Sequence, residues 1–82
     1  MSLESFERLS TREQHVLVSL MKGATAREIA NRDCVSLATV RSQIHAIISK
    51  LGVSSQLTAV VLAYRSGWPE GRESWQRERP AV

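Results

Sequence analysis

The side chains best suited to recognition chemistry lie on one face of a helix that the sequence predicts over Leu37–Leu51. Apolar residues recur there at helical spacing and define a buried side: Val40, Ile44, Ile47, Ile48 and Leu51. The opposite side is small, polar or cationic and holds no carboxylate: Ala38, Arg41, Ser42, His45 and Ser49. The Arg41 guanidinium has the fork that pairs with O6 and N7 of guanine. This face can therefore approach DNA without opposing charge or bulk.

The charge balance also favours a polyanionic partner. The 82 residues carry 11 Lys or Arg against 8 Asp or Glu, a net charge of +3. From Cys34 to Trp68 the chain holds Arg41, Lys50 and Arg65 but no carboxylate. Such a local excess suits nucleic acid, although a solvated basic face has the same composition. The length allows one small domain with a modest core and excludes a multidomain enzyme.

The sequence lacks the groupings that catalysis or metal binding needs. It has no glycine-rich phosphate loop and no pairing of a nucleophile with a base, and Glu13, Glu28 and Asp33 have capping or surface roles. His15 and His45 have no metal-ligand spacing to a carboxylate or thiol. We therefore expect no enzyme activity, no metal and no cofactor.

A single cysteine and the lack of long apolar runs set the expected compartment. Cys34 cannot form an internal disulfide, which favours a reducing environment, and its place in a predicted turn favours a small buried filler. No apolar run approaches the ~20 residues of a membrane span. Residues 1–10 lack the basic start and apolar stretch of an export signal. We expect a cytoplasmic protein with no membrane contact, at the nucleoid when bound to DNA.

Capping signals divide the chain into four predicted helices with almost no strand, an all-α class. Ser10 with Glu13 and Thr25 with Glu28 form capping boxes that open the first two helices, and Ser36 caps the third. The apolar positions of the first two helices are Val16, Leu17, Leu20, Met21, Ile29 and Ala30. The expected helix ends lie at Gly23, about Asp33, Gly52 and Gly67.

The predicted fourth helix is apolar on two sides. Ser54 or Ser55 caps it, and it runs to about Ser66. One side holds Ala59, Val60, Ala63 and Gly67, and the other holds Leu57, Val61 and Tyr64. If the first side packs on the domain, the second is free to bury itself against a second copy of the chain. A single wide core face is the alternative interpretation.

The chain has three predicted parts. Residues 1–8 form a lead-in, in which Leu3 and Phe6 can add a partial turn beneath the first helix. Residues 9–68 form the helical domain. Residues 69–82 alternate in charge, which predicts a flexible, disordered tail.

The segment Ala26–Asp33, the connection 34–36 and the helix Leu37–Leu51 have the pattern of a helix-turn-helix. Ala30 is small enough for two helices to cross closely, and Val35 and Val40 are expected to plug the angle between them. In such a unit the first helix crosses the sugar-phosphate backbone and the second enters the major groove.

Residues 9–68 resemble the LuxR-type (GerE-like) helix-turn-helix output domain of bacterial transcription regulators. The resemblance covers 60 of the 82 residues. The matching elements are Leu9-Ser10-Thr11-Arg12-Glu13, Gly23 before Thr25, Glu28-Ile29-Ala30, Val35-Ser36, Thr39-Val40-Arg41, Ile47, Lys50-Leu51-Gly52-Val53, Ala59-Val60 and Ala63. It implies a four-helix domain whose third helix reads DNA and whose fourth helix pairs two copies.

Three positions depart from the family pattern. Asp33 stands where the family usually has an apolar residue, so Cys34 or Val35 is expected to supply the plug instead. Gln43 stands where histidine is common, which can change a backbone or base contact. Gln56 stands where arginine is common, which can weaken a salt bridge or phosphate contact.

The resemblance and the helix pattern together assign three groups of site residues. The base contacts are Arg41, Ser42 and His45. The phosphate contacts are Thr25, Arg27, Ser36, Thr39, Gln43 and Lys50. The dimer interface is Leu57, Val61 and Tyr64. Thr25 and Ser36 have capping as a compatible role, and Lys50 has the alternative role of a cation at a helix C-terminus.

The predicted function is sequence-specific binding of double-stranded DNA by a homodimer, with RNA polymerase as a candidate further partner. The length leaves no room for a receiver or ligand-binding domain, so the chain is interpreted as the output end of a longer regulator or as a free-standing member. The alternative is a helix-turn-helix module that docks onto protein, either a polymerase subunit or an acidic partner.

Overall fold

Five helices make up the described part of the chain, residues 4–69 of the computed structural model. They are α1 (Glu4–Glu7), α2 (Thr11–Met21), α3 (Ala26–Asp33), α4 (Leu37–Leu51) and α5 (Gln56–Arg65). No strand occurs among these residues, which confirms the all-α class. The helices α2 to α5 are the four predicted ones, and α1 is an additional short helix in the predicted lead-in. The predicted tail lies outside the described residues from position 70 onward.

Side-chain caps begin the four longer helices as predicted. Ser10 Oγ accepts the Glu13 N–H at 3.1 Å while Glu13 Oε1 accepts the Ser10 N–H at 2.9 Å. Thr25 and Glu28 repeat this reciprocal pair at 3.1 and 2.8 Å. The remaining caps are single bonds, to Ser36 at the start of α4 and to Ser55, not Ser54, at the start of α5. These bonds satisfy backbone N–H groups that the helix itself leaves unpaired.

The turn between α3 and α4 differs from the sequence prediction. Cys34 adopts a left-handed conformation, with φ of 57°, and caps the C-terminus of α3. The reversal lets the Val35 N–H donate to the Ala30 carbonyl at 3.1 Å. It also leaves both side chains at the surface: Cys34 is exposed, and Val35 is 37% exposed. The prediction of a buried Cys34 filler and a Val35 plug is therefore wrong, whereas Val40 is fully buried as expected.

The core lies where α2 and α3 pack against α4, with α5 closing one side. The predicted apolar positions of α2, α3 and α4 are buried except for Ile48, which is partly buried. Among the least exposed are Val16, Leu17, Ile29, Val40 and Ile47. From α5, the buried residues are Ala59, Leu62 and Ala63. The outward face of α4 thus results from burial of its other side.

Helix α1, which lies in the predicted lead-in, packs into the core. Phe6 in α1 is 1% exposed, and its ring stacks on Trp68 with centroids 5.3 Å apart and planes inclined by 16°. Helix α1 packs against α4. The lead-in therefore contributes an aromatic side chain to the core, and Leu3 lies outside the described residues.

No single helix within residues 4–69 is long and apolar enough to cross a membrane. The helices α4 and α5 reach that length and apolar composition only as a pair, which is bent by 56°. In the same residues, no group of three or more His, Cys, Asp or Glu side chains is arranged to hold a metal ion.

Candidate nucleic-acid interface

The outward face of α4, which consists of Ala38, Arg41, Ser42, His45 and Ser49, is exposed throughout. Because the opposite side of α4 is buried in the core, the helix presents this face to solvent at a fixed angle. Within residues 4–69 no carboxylate pairs with Arg41 or His45. The Arg41 guanidinium is therefore available to an external acceptor.

A shallow hollow adjoins this face. Arg41 and His45 line it together with Ile44 and Ile48 of the same helix and Gln56 at the start of α5. The hollow therefore places two of the predicted base-contact residues beside an apolar surface. It also brings Gln56, where the family pattern has arginine, next to the predicted reading side chains.

Hydroxyl groups at the starts of α3 and α4 lie on the surface as predicted. Thr25, Ser36 and Thr39 are exposed, as is Arg27 in the first turn of α3. The Ser36 hydroxyl donates to Thr39 Oγ1 at 2.8 Å, which leaves the Thr39 hydroxyl proton for an external acceptor. Both helix N-termini also carry partial positive charge. These groups can bind phosphate oxygens while the caps remain in place.

Lys50, another predicted phosphate contact, is held within the domain. Its Nζ donates to Glu13 Oε1 at 2.7 Å and joins the end of α4 to the start of α2. This hydrogen bond is the main cause of a pKa of Glu13 below its ordinary value of 4.5. A phosphate bound to Lys50 would therefore share its ammonium with Glu13.

A polar network that the sequence did not predict joins three helices behind the outward face. Arg12 Nη1 pairs with Asp33 Oδ2 at 2.8 Å, and Arg12 Nε donates to Gln43 Oε1 at 3.3 Å. Arg32 Nε pairs with Asp33 Oδ1 at 3.0 Å, and Arg32 Nη2 donates to Ser19 Oγ at 2.8 Å. We call these five residues the Arg12 network.

The Arg12 network takes the place of the plug expected from Cys34 or Val35, while Val40 is buried as expected. At the family's usual apolar position, Asp33 is partly buried as a carboxylate between two guanidinium groups, and neither Cys34 nor Val35 fills the angle. Gln43 is partly buried and faces Arg12 through its carbonyl oxygen. The sequence gives one signal for this arrangement. It is a carboxylate at a position where a helix of this kind usually has an apolar residue, in a chain that has arginines elsewhere.

Acid should destabilise the domain through Asp33. Hydrogen bonds from Arg32 and then Arg12 lower the pKa of Asp33 to about 2 from its ordinary value of 3.8. The Asp33 carboxyl binds a proton less tightly in the folded state than in the unfolded state. The stabilisation is therefore complete above the pKa that Asp33 has in the unfolded chain, and it is lost as pH falls through its pKa in the folded protein. We expect the melting temperature to fall between about pH 4 and pH 2, and Asp33→Asn to flatten that fall. Thermal melts followed by circular dichroism at several pH values in this range test the prediction, and Glu7→Gln is the control for an exposed carboxylate. If the melting temperatures of the wild type and Asp33→Asn fall equally with pH, the prediction is contradicted.

The side of α5 predicted to pair two copies is partly exposed. Leu57 is 72% exposed and Val61 is 41% exposed, both high values for large apolar side chains. Tyr64 is half-buried, and its hydroxyl donates to the Met21 carbonyl at 2.6 Å. Leu57 and Val61 are thus available to a partner, whereas the Tyr64 hydroxyl is bonded within its own domain.

The fold and its exposed helix define a helix-turn-helix domain. Residues 7–63 match the family model of bacterial regulatory proteins of the luxR family (GerE), and the chain belongs to this family. This result confirms the resemblance seen in the sequence.

Similar proteins include the response regulator protein VraR of Staphylococcus aureus, Staphylococcus saprophyticus and Staphylococcus epidermidis. Each is 34% identical over 62 residues, which cover 76% of this chain and 30% of the relative. The chain thus spans less than a third of the length of these relatives. Together with the family, they support a DNA-binding output domain of a transcription regulator.

Proposed function

We propose that this chain binds double-stranded DNA in a sequence-dependent way, with α4 in the major groove and α5 pairing two copies. The observation that carries the proposal is the exposed, carboxylate-free outward face of α4, flanked by the N-termini of α3 and α4. In this arrangement Arg41, Ser42 and His45 meet base edges.

The dimensions and charge of α4 support this placement. A helix with its side chains is about 10–12 Å wide, and the major groove is about 12 Å wide. Ala38, Ser42 and Ser49 are short, so the helix axis can approach the groove floor closely. Few side chains then reach base edges, and much of the discrimination is expected from Arg41 and from the shape of the duplex.

Phosphate binding is assigned to groups on both sides of the groove. Thr25 and Arg27 lie at the start of α3, and Ser36 and Thr39 lie at the start of α4. The Gln43 amide nitrogen is a further donor, and Lys50 contributes the N–H donors that Glu13 does not use. Such contacts set the register of the protein on the duplex and carry no sequence information.

DNA binding by the folded chain should weaken steeply with salt. Fluorescence anisotropy of a random-sequence duplex and of a pool selected by the protein, titrated at several salt concentrations, measures it. Because each neutralised phosphate releases counterions, log K should fall linearly with log salt by about 0.9 per contact. The selected pool should bind more tightly than the random duplex. No binding of either pool at micromolar, folded protein in low salt would contradict the proposal and favour the protein-docking alternative.

Pairing of two copies through α5 should depend on Val61. In Val61→Glu, a charge enters the surface that Leu57 and Val61 would bury, and we expect the dimer dissociation constant to rise about tenfold or more. Sedimentation velocity, alone and on an inverted-repeat duplex, measures this. In the measurement without DNA, Asn31→Glu on the exposed side of α3 adds the same charge away from α5 and should leave self-association unchanged. If the wild type and Val61→Glu occupy the duplex with the same stoichiometry and cooperativity, α5 does not pair the copies.

A further inference from the structure

The Arg12 network attaches the predicted reading helix to the rest of the domain at a defined point. Arg12 lies in α2, Asp33 is the last residue of α3, and Gln43 lies midway along α4. The Arg12 guanidinium bonds to both partners, at 2.8 Å to Asp33 and 3.3 Å to Gln43. One side chain therefore sets the position of two helices relative to the third.

A second polar attachment joins α4 to α2, because Lys50 of α4 bonds to Glu13 of α2 at 2.7 Å. With two attachments, the contacts of α4 become sensitive to rotation of this helix about its own axis. Gln43 and Lys50 are two helical turns apart on the same side of α4, about 10 Å along its axis. Polar bonds at two separated points restrict sliding and rolling of α4 more strongly than apolar packing alone, because hydrogen bonds depend on direction.

Even a small rotation of α4 about its axis displaces its side-chain tips by a distance that matters for base contacts. Side-chain tips lie about 5–6 Å from a helix axis, so a roll of about 10° moves them by about 1 Å. Recognition groups need to be held within about 0.5 Å of their working positions. Arg41 and His45 lie two residues before and two residues after Gln43. If α4 rotates about its axis when the Gln43 hydrogen bond changes, both side chains therefore point in a different direction.

Asp33 holds the Arg12 guanidinium in the orientation that reaches Gln43. Arg32 donates to the other oxygen of the same carboxylate, and Arg32 is itself bonded to Ser19 of α2. The Asp33 carboxylate is therefore bonded to guanidinium groups on two sides. Arg12 Nη2 is buried and has no hydrogen-bond partner among the described residues. Without the carboxylate, this partly buried cation would lose its only ion pair among those residues and would reorient toward water.

We infer that Asp33 is a positioning residue for base discrimination: through Arg12 and Gln43 it fixes the rotation of α4 about its axis. The inference rests on the proposed function and names the residue, outside the reading helix, on which sequence discrimination depends. The polar attachment stands at the position where the resemblance to the family implies an apolar residue.

The test compares two affinities: that for a duplex taken from the pool selected by the protein, called the selected duplex, and that for a random-sequence duplex. The quantity measured is the ratio of the first affinity to the second. A variant that only lowers the folded fraction weakens both affinities by the same factor and leaves the ratio unchanged. A variant that misplaces α4 weakens mainly the selected duplex. For Asp33→Asn we expect the ratio to fall about fivefold to tenfold, the lower range for one lost base contact. Glu7→Gln removes the same charge from an exposed site outside the network and should keep the wild-type ratio.

Arg12→Lys provides a second variant with unchanged net charge. A lysine can pair with Asp33 but lacks the planar fork that bonds to Asp33 and Gln43 together. The ratio should therefore fall as in Asp33→Asn while random-duplex affinity stays at the wild-type value. Circular dichroism at the assay temperature reports folding, and if Asp33→Asn is unfolded, Arg12→Lys decides.

The two levels of failure are distinguishable. If the wild-type protein binds no duplex, the proposed function is wrong. If the wild type discriminates between duplexes and the folded variants keep its ratio, DNA binding stands and the positioning role of Asp33 is overturned.

Discussion

Replacing Arg41 with alanine is expected to reduce affinity for a selected duplex by about tenfold to a hundredfold, because a bidentate arginine–guanine pair contributes about 1–3 kcal/mol of discrimination. Random-duplex affinity should fall much less, since only one general charge contact is lost. Arg41 is exposed and, among residues 4–69, has no carboxylate partner, so the folded state loses no ion pair. Anisotropy titrations of both duplexes with wild type and Arg41→Ala measure the effect.

A matched control separates reading from net charge. Arg8→Ala removes the same charge from an exposed position between α1 and α2 that is assigned no DNA contact. It should lower both affinities slightly and equally. If Arg8→Ala and Arg41→Ala have the same effect on the selected duplex, α4 does not read bases through Arg41, and discrimination comes from duplex shape or from another surface.

The elements that sequence could predict are those set by local chemistry. Ser10 and Thr25 find their partners three residues further on, within one helical turn, so the capping boxes are visible in the sequence. The buried and outward faces of α4 follow from its 3.6-residue period in the same way. These local rules were sufficient to locate the candidate interface.

The features that sequence missed depend on contacts between distant parts of the chain. Asp33 pairs with Arg12, which is 21 residues away, and no helical period relates them. The left-handed conformation of Cys34 was also unexpected, because glycine is the residue that usually adopts it. Both features concern the turn that sets the angle of α4, so the orientation of the reading helix was the least predictable part of the site.

A large loss of stability is expected for Phe6→Ala, although Phe6 precedes the segment that resembles the family. Phe6 is among the least exposed side chains, and it stacks on Trp68 from the other end of the domain. Replacing a buried phenylalanine with alanine costs about 3–5 kcal/mol, from lost burial and the cavity left behind. A small domain is stable by only about 5–15 kcal/mol, so this change removes a large share.

Urea unfolding followed by circular dichroism measures the loss, with Glu7→Ala as the control. Glu7 is exposed in the same helix α1, so its truncation should change the free energy of unfolding by about 0.5 kcal/mol or less. Phe6→Ala should weaken binding to selected and random duplexes by one common factor, because it changes the folded fraction and leaves the outward face of α4 intact. Arg41→Ala should do the reverse and change the ratio without changing stability. Equal unfolding curves for Phe6→Ala and Glu7→Ala would show that the core does not depend on α1 and that the folded unit begins at α2.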